Sequence, residues 1–281
     1  MPLFNFSLKP IKECEPFGTT PDLRLHWFGL TDGFYYLKAG EVEILRYTPE
    51  IMQEGAKKGW QTQQLPYPNY YVIRLFEDLL EILPAIFEEV PAEVARYVAN
   101  PEKQQHLEQI YQTWLSKVDL QKHDQQQVKD IYDVATTSII WWNNRHLSSY
   151  HLQKGPHVWF WRTGEQVHIR WDCSGKSEEG VPFWTSESGE YSLPFQEFQA
   201  EVEDFNERFI GEMRERVEAA CREWPLPEVK IDLENLKAEQ IQREGSLREA
   251  LAIKPETDWA KVISAIKQME EYHHAAPHRP E

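Results

Sequence analysis

The run His157 to Asp172, HVWFWRTGEQVHIRWD, constrains the fold more than any other stretch. Side chains alternate across a strand, so Val158, Phe160 and Arg162 point one way while His157, Trp159, Trp161 and Thr163 point the other. With Thr163 and Gly164 as the loop, the return strand pairs Arg162 with Glu165, Trp161 with Gln166, Phe160 with Val167, Trp159 with His168, Val158 with Ile169 and His157 with Arg170. One face is then apolar and Trp171 extends it. The other carries Trp159, Trp161, His157, His168, Arg170 and Asp172. Moving the loop to Gly164 and Glu165 changes the partners but keeps both faces, because a two-residue shift preserves parity. Thr163 is a poor residue for positive φ, which leaves the turn type open.

Two large rings among groups that donate, accept or titrate make the mixed face the leading site candidate: Trp159, Trp161, His168, Arg170 and Asp172. The competing reading covers this face with a helix and stacks Arg170 on a tryptophan. Upstream, ATTSIIWWNNRHL places Trp141 and Trp142 beside the polar run Asn143, Asn144, Arg145 and His146. That run is either a helix end whose carbonyls are capped by Asn and Arg, or the far wall of a cleft facing the hairpin. The second reading adds Trp141, Trp142, Arg145 and His146 to the partner- or ligand-binding candidates. Six of the 11 tryptophans lie between Trp141 and Trp184, so an aromatic-lined pocket is expected there.

Phe4, Phe6 and Leu8 alternate with polar residues and predict a first strand; Leu23, Leu25 and Trp27 predict a second, with a turn over Gly29 to Gly33. Phe34 to Leu37 and Val42 to Arg46 flank Ala39 and Gly40 and complete an N-terminal β-meander. Gly55 to Asn69, with Gly59, Pro66 and Pro68, reads as a loop. Helical periodicity follows from Tyr71 through Leu75, Leu79 and Ile82, with Pro84 and Pro91 expected to break or kink it. Asn100 before Pro101 marks a helix start with Leu107, Ile110, Trp114 and Val118 inward. Asp124 with Gln127 is a capping box for the next helix, although Thr136 to Ile140 is β-branched enough for a strand. VPFW and EYSLP read as edge strands. Phe198, Val202, Phe205, Phe209, Met213, Val217, Ala220 and Trp224 recur at three- and four-residue steps, predicting a long helix laid on the sheet. A helical pair follows, capped by Asp232 and Thr257 and interrupted at Gly245.

The expectation is an α+β fold: a β-meander and a central hairpin in an antiparallel sheet, covered by several helices, with a C-terminal helical pair. The division expected is a main α+β domain over 1–225, a helical appendage over 226–272 and a disordered tail over 273–281.

LHWFGLTDGFYYL, from Leu25 to Leu37, and WFWRTGEQVHIRWD resemble a bacterial domain-of-unknown-function family that shares a WFGLTDG-type motif and a WxWRxGxxVxIxWD-type hairpin. The resemblance runs from about residue 3 to Trp224 and into the last helices. It implies relatedness and carries no assigned reaction onto Trp27, Asp32, Trp161 or Asp172; its implied setting is a toxin–immunity locus.

Charge bears on partners. The 30 Lys and Arg face 46 Asp and Glu, giving −16, and residues 194–281 alone carry 20 acids and 12 bases. That field repels a phosphate backbone and steers basic partners, so a basic protein partner is expected and nucleic acid is not. Cys14, Cys173 and Cys221 are an odd set without a CxxC pair, and no run of 18 apolar residues occurs. A cytoplasmic protein, no membrane span and no metal or cofactor are the corresponding expectations. No GxSxG, HExxH, P-loop or GxGxxG is present. A non-enzymatic binding module, specifically an immunity-type neutraliser of a toxin or effector, is therefore the first functional expectation. A hydrolase or nucleotide-processing enzyme built on His, Asp and Arg beside the hairpin is the second.

Overall fold

The structure, a computed structural model, describes residues 2–59, 65–119 and 122–275. It is α+β, with two four-stranded antiparallel sheets joined by helices. The first sheet centres on β2 (Asp32–Ala39), which pairs with β1 (Phe4–Leu8), β3 (Val42–Glu43) and β4 (Asn69–Tyr71). Gly33 is required where β1 crosses it, since a Cβ there would lie 2.5 Å from the Ser7 carbonyl oxygen.

The N-terminal meander differs from expectation at one member. Leu23 to Trp27 is not a strand of this sheet: Arg24 bridges singly to Phe17 and to Lys230, and a 3-10 turn over Gly29–Thr31 follows. Its alternation reflects burial of Leu25 and Trp27 without a strand ladder beside them. Asp32 and Gly33, expected in the turn, open β2 instead. The expected loop from Gly55 also yields to a helix, α1 (Pro49–Lys58). Thr48 Oγ1 accepts from Ile51 N at 3.3 Å, Pro49 takes the first turn and Gly59 closes the helix at φ 75°. Residues 60–64 of that expected loop lie outside the described residues.

Tyr71 ends β4, and α2 (Val72–Phe87) begins one residue later. It runs through Pro84 without a break, one of the two effects expected there, a break or a kink. The ring sits in the last turn, where its missing N–H forfeits a single bond and the carbonyl of Pro84 still caps Glu88 N at 3.2 Å. Then come α3 (Ala92–Ala99), α4 (Pro101–Leu115) and α5 (Gln125–Asn143). Asn100 Oδ1 accepts from Lys103 N, and Asp124 with Gln127 forms the capping box expected of them. Thr136 to Ile140 is helical because Ala135, Ser138, Trp141 and Trp142 reach the interior at helical spacing.

In the second sheet the order is β10 (Gly189–Pro194), β7 (Gln166–Asp172), β6 (His157–Thr163) and β5 (His146–Leu147). The hairpin turn falls on Gly164 and Glu165, so Trp161 faces His168, Trp159 faces Arg170 and His157 faces Asp172. Positive φ, 56°, lands on Gly164 rather than on Thr163, and the shift of two keeps both faces. A two-strand ribbon, β8 (Ser177–Glu178) with β9 (Val181–Pro182), lies off this sheet.

The long helix α6 (Phe195–Arg222) stands between the sheets. Phe205 stacks on Phe4 at 5.3 Å between ring centres, and Phe198 meets Phe160 at 6.0 Å, so both sheets and α2 share one core. The C-terminal helical pair consists of α7 (Leu233–Arg243) with α8 (Ser246–Ala252), divided at Gly245, and α9 (Trp259–Ala275). Asp232 caps α7 as expected. At α9 the capping oxygen is Asp258 Oδ1, accepting from Lys261 N at 2.9 Å, while Thr257 turns to Glu88. Leu236 and Leu247 enter the first core; Val262, Ile266 and Met269 enter a second one with α3, α4 and α5. Residues 273–275 continue α9, and 276–281 lie outside the described residues. Among the described residues no helix is long and apolar enough to cross a membrane.

Candidate functional site

The mixed face of the hairpin is covered. Trp159, Trp161, Trp141 and Trp142 are buried in the second core with Val94, Leu107 and Ile110, and α9 closes over them with Val262 and Ile266. The accessible indole surface expected from the sequence is absent because α4, α5 and α9 each turn an apolar stripe onto it. Arg170, 4% exposed, lies 4.2 Å above the Trp159 ring. The alternative reading of this face, a helix cover with a stacked arginine, is the one the fold adopts.

Arg145 follows the same logic. It is 1% exposed, donates to the Trp141 carbonyl at 2.6 Å and to Glu88 Oε2 at 2.9 Å, and lies over Trp259. Glu88 also accepts from the Thr257 amide and hydroxyl. One carboxylate thus ties the end of α2, the end of α5 and the start of α9. The Asn143–His146 cluster does not face the hairpin across a cleft: His146 pairs with Trp159 in the β5–β6 ladder itself.

His146, His157, His168 and Asp172 occupy the partly covered margin. Lys176 Nζ donates to His157 Nε2 at 3.2 Å, and His157 Nδ1 meets His146 Nε2 at 3.1 Å. Burial, with His157 and Lys176 adding to it, pushes His146 down to about 4, and burial also lowers His157. His168 is spoken for by Thr163 and Ser192. Burial works against the Asp172 carboxylate, yet hydrogen bonds from Ser174 and Ser188 hold it below the usual range.

Two open features border these residues. A groove of about 490 Å³ lies between α4 and the ends of β6 and β7, walled by Gln104, Glu108, His157, Arg170, Asp172 and Ser174. Beyond β5 lies a cleft of about 580 Å³, lined by Asp78, Glu81, Asn143, Asn144, His146, Ser148, Tyr150 and Ile253. Its rim is apolar and unusually bare. Tyr150 is 81% exposed, Ile253 60% and Leu251 37%, the last lining the adjoining recess with Phe87 and Pro255.

Asp78 is buried at the wall of this cleft, and its Oδ2 has no hydrogen-bond partner. Burial pushes it up to about 6 against the lowering effect of Arg74. His151 Nδ1 stands 3.8 Å away, and the same ring meets the Tyr35 hydroxyl at 2.5 Å through Nε2. Burial, then Arg74, lowers His151 to about 4, so at neutral pH a neutral imidazole faces an ionised carboxylate. His151 and His157 have separate partners and do not converge. Among the described residues no three His, Cys, Asp or Glu side chains gather as a metal site.

With this geometry in view, the comparison with protein families is decisive on kinship. A family of unknown function, DUF5984, matches residues 3–265. The chain belongs to this family. The match covers Leu25 to Leu37 and Trp159 to Asp172 and reaches into α9, in keeping with a resemblance that runs into the last helices. Neither a curated protein nor a solved structure matches the chain.

Sequence reasoning missed Asp78, Tyr150 and Ile253. Asp78 carried a signal: it lies three residues after Leu75 and four before Ile82, inside the buried stripe of α2. Tyr150 and Ile253 carried none, since each sits in a connection whose exposure depends on distant packing.

Proposed function

We propose that this protein is a non-enzymatic binding module for a basic protein partner, in its most specific form an immunity-type neutraliser of a toxin or effector acting in the cytoplasm. The docking surface is the cleft beyond β5, not the tryptophan face. The observation that carries this reading is a bare apolar rim, Tyr150, Ile253 and Leu251, around a wall that holds Asp78 and Glu81. Aromatic and aliphatic anchors supply desolvated area, and acids at the centre take a Lys or Arg of the partner. The overall charge of −16 favours fast, salt-sensitive association with such a protein. Three free cysteines suit a reducing compartment.

The test is a partner sought at its own locus. The product of an adjacent basic reading frame is co-expressed with this chain, and complex formation and growth are measured. Tyr150→Ala with Ile253→Asp should abolish both protection and complex formation while thermal unfolding stays cooperative. Protection that persists in the double variant removes this surface from the proposal.

A catalytic reading distinct from the His, Asp and Arg site expected beside the hairpin has one supporting observation, the line Asp78, His151, Tyr35. Tyr35 is 1% exposed, so the group at the end of that line is out of a substrate's reach, and the binding reading leads.

A further inference from the structure

The groove between α4 and the second sheet contains a charge arrangement that the docking surface does not use. Arg170 forms its floor. Among the described residues no carboxylate lies within 4 Å of its guanidinium; Gln104 Oε1 accepts from Nη2, and Nε–H meets no acceptor at all. A buried cation is ordinarily paired, because leaving one without a counter-ion leaves its desolvation uncompensated. The Trp159 ring covers one face of the guanidinium at 4.2 Å and fixes its plane. Nε is closed to solvent, so what this arginine can turn to the groove is its terminal Nη edge, whose paired N–H donors fit a carboxylate bidentately.

Carboxylates stand around this cation without touching it. Glu108 projects one turn along α4 from Gln104, Glu190 is the β10 partner of Arg170, and Asp172 follows on β7. Among the described residues none of the three has a cation within 4 Å. Asp172 Oδ1 is occupied by Ser174 and Ser188; burial raises Glu108, opposed by Arg170. The groove continues past Arg170 into a recess of about 250 Å³ bounded by Ala99, Pro101, Trp171 and Ser188. The joined space is of a size that suits a small molecule.

We propose that this groove binds a free α-amino acid, with the ligand carboxylate on Arg170, its ammonium among Glu108, Asp172 and Glu190, and its side chain in the recess beside Trp171. The unpaired cation and the carboxylates around it then each face an opposite charge on one zwitterion. A simple carboxylate would satisfy Arg170 but meet repulsion from three acids; a simple amine would leave Arg170 bare.

The experiment uses the full chain and the common L-amino acids, each at millimolar concentration, read by thermal shift and then by calorimetry. At least one should raise the melting temperature, and its methyl ester and N-acetyl derivative should not. Arg170→Lys, which keeps the charge but loses the planar edge, should weaken binding by about tenfold or more. Because Arg170 is packed on Trp159, Glu108→Gln provides a second variant at an exposed position; it should weaken the ammonium contact while the far-ultraviolet circular dichroism stays native. No shift with any amino acid, or equal shifts from acetate and from the N-acetyl derivative, would overturn the proposal.

Discussion

The two faces of the second sheet are both buried, by different chemistry. On one, Phe160, Val167, Ile169 and Leu193 meet Phe198 and Phe205 of α6, and the contact is carbon on carbon. On the other, Trp159 and Trp161 meet helices α4, α5 and α9, with Arg170 and Arg145 laid on indoles and histidines at the margin. The first face needs only to exclude water. The second must also satisfy every donor it takes in, because a buried polar group without a partner costs about 1 to 3 kcal/mol. Among the described residues, Nε of both Arg145 and Arg170 lacks an acceptor, but Arg145 has the Trp141 carbonyl and a counter-ion in Glu88, whereas Arg170 has only the Gln104 amide oxygen. That asymmetry leaves a cation without a counter-ion on the mixed face, at the floor of the groove beside α4.

The comparison is broken most severely on the carbon face. Phe160 is fully buried between Phe4 and Phe198, so Phe160→Ala should cost about 3 to 5 kcal/mol, read as a shift in the urea midpoint at unchanged slope. A loss under about 1 kcal/mol would mean that α6 collapses onto the gap and that this face is more plastic than its packing implies.

On the mixed face the corresponding change is Arg145→Ala. It strands Glu88 between Thr257 and a vacated arginine site, and the expected cost is about 3 kcal/mol, with the start of α9 loosening first. Hydrogen exchange over α9 checks this: protection should fall at residues 259–266 before it falls in α6. Uniform loss across both helices would show that the tie is not local.

Acid should separate the two faces as well. His146, held down to about 4 against an ordinary 6.5, binds its proton more weakly in the fold than in the unfolded chain. Its contribution is therefore complete above about 6.5 and is lost as pH falls toward 4, with His151 acting in the same direction. Melting temperature should drop across that window, and the drop should be shallower in His146→Gln. An unchanged slope would place the acid sensitivity on other groups.

Much of this plan was legible. Parity alone assigned every residue of the hairpin to its face, and Asn100, Asp124 and Asp232 announced three helix starts because a cap is a local hydrogen bond. The cover over Trp159 was not. It comes from Leu107 and Ile110 on one side and Val262 and Ile266 on the other, and nothing within one stripe says which sheet it meets. An aromatic face with polar edges reads identically whether helices lie over it or water does. Leu23 to Trp27 misled for a related reason: alternation records burial on one side, and a segment achieves that without a neighbouring strand.

The smallest effect tests whether the cleft beyond β5 is built for a partner. Asp78 lies in the buried stripe of α2 with Oδ2 unpartnered, and burial raises it to about 6. At neutral pH it is ionised, and its proton is bound more tightly in the fold than in the unfolded chain. Stability is accordingly forfeited as pH rises from about 4 through 6. Asp78→Asn removes that cost, and the amide can donate toward His151 Nδ1, where a carboxylate only accepts. The variant should gain about 1 kcal/mol at neutral pH, seen as a melting temperature a few degrees higher, while its affinity for a basic partner falls. A residue kept at the expense of stability is one whose charge has a use; a variant that is more stable and still binds would show that Asp78 has none at this surface.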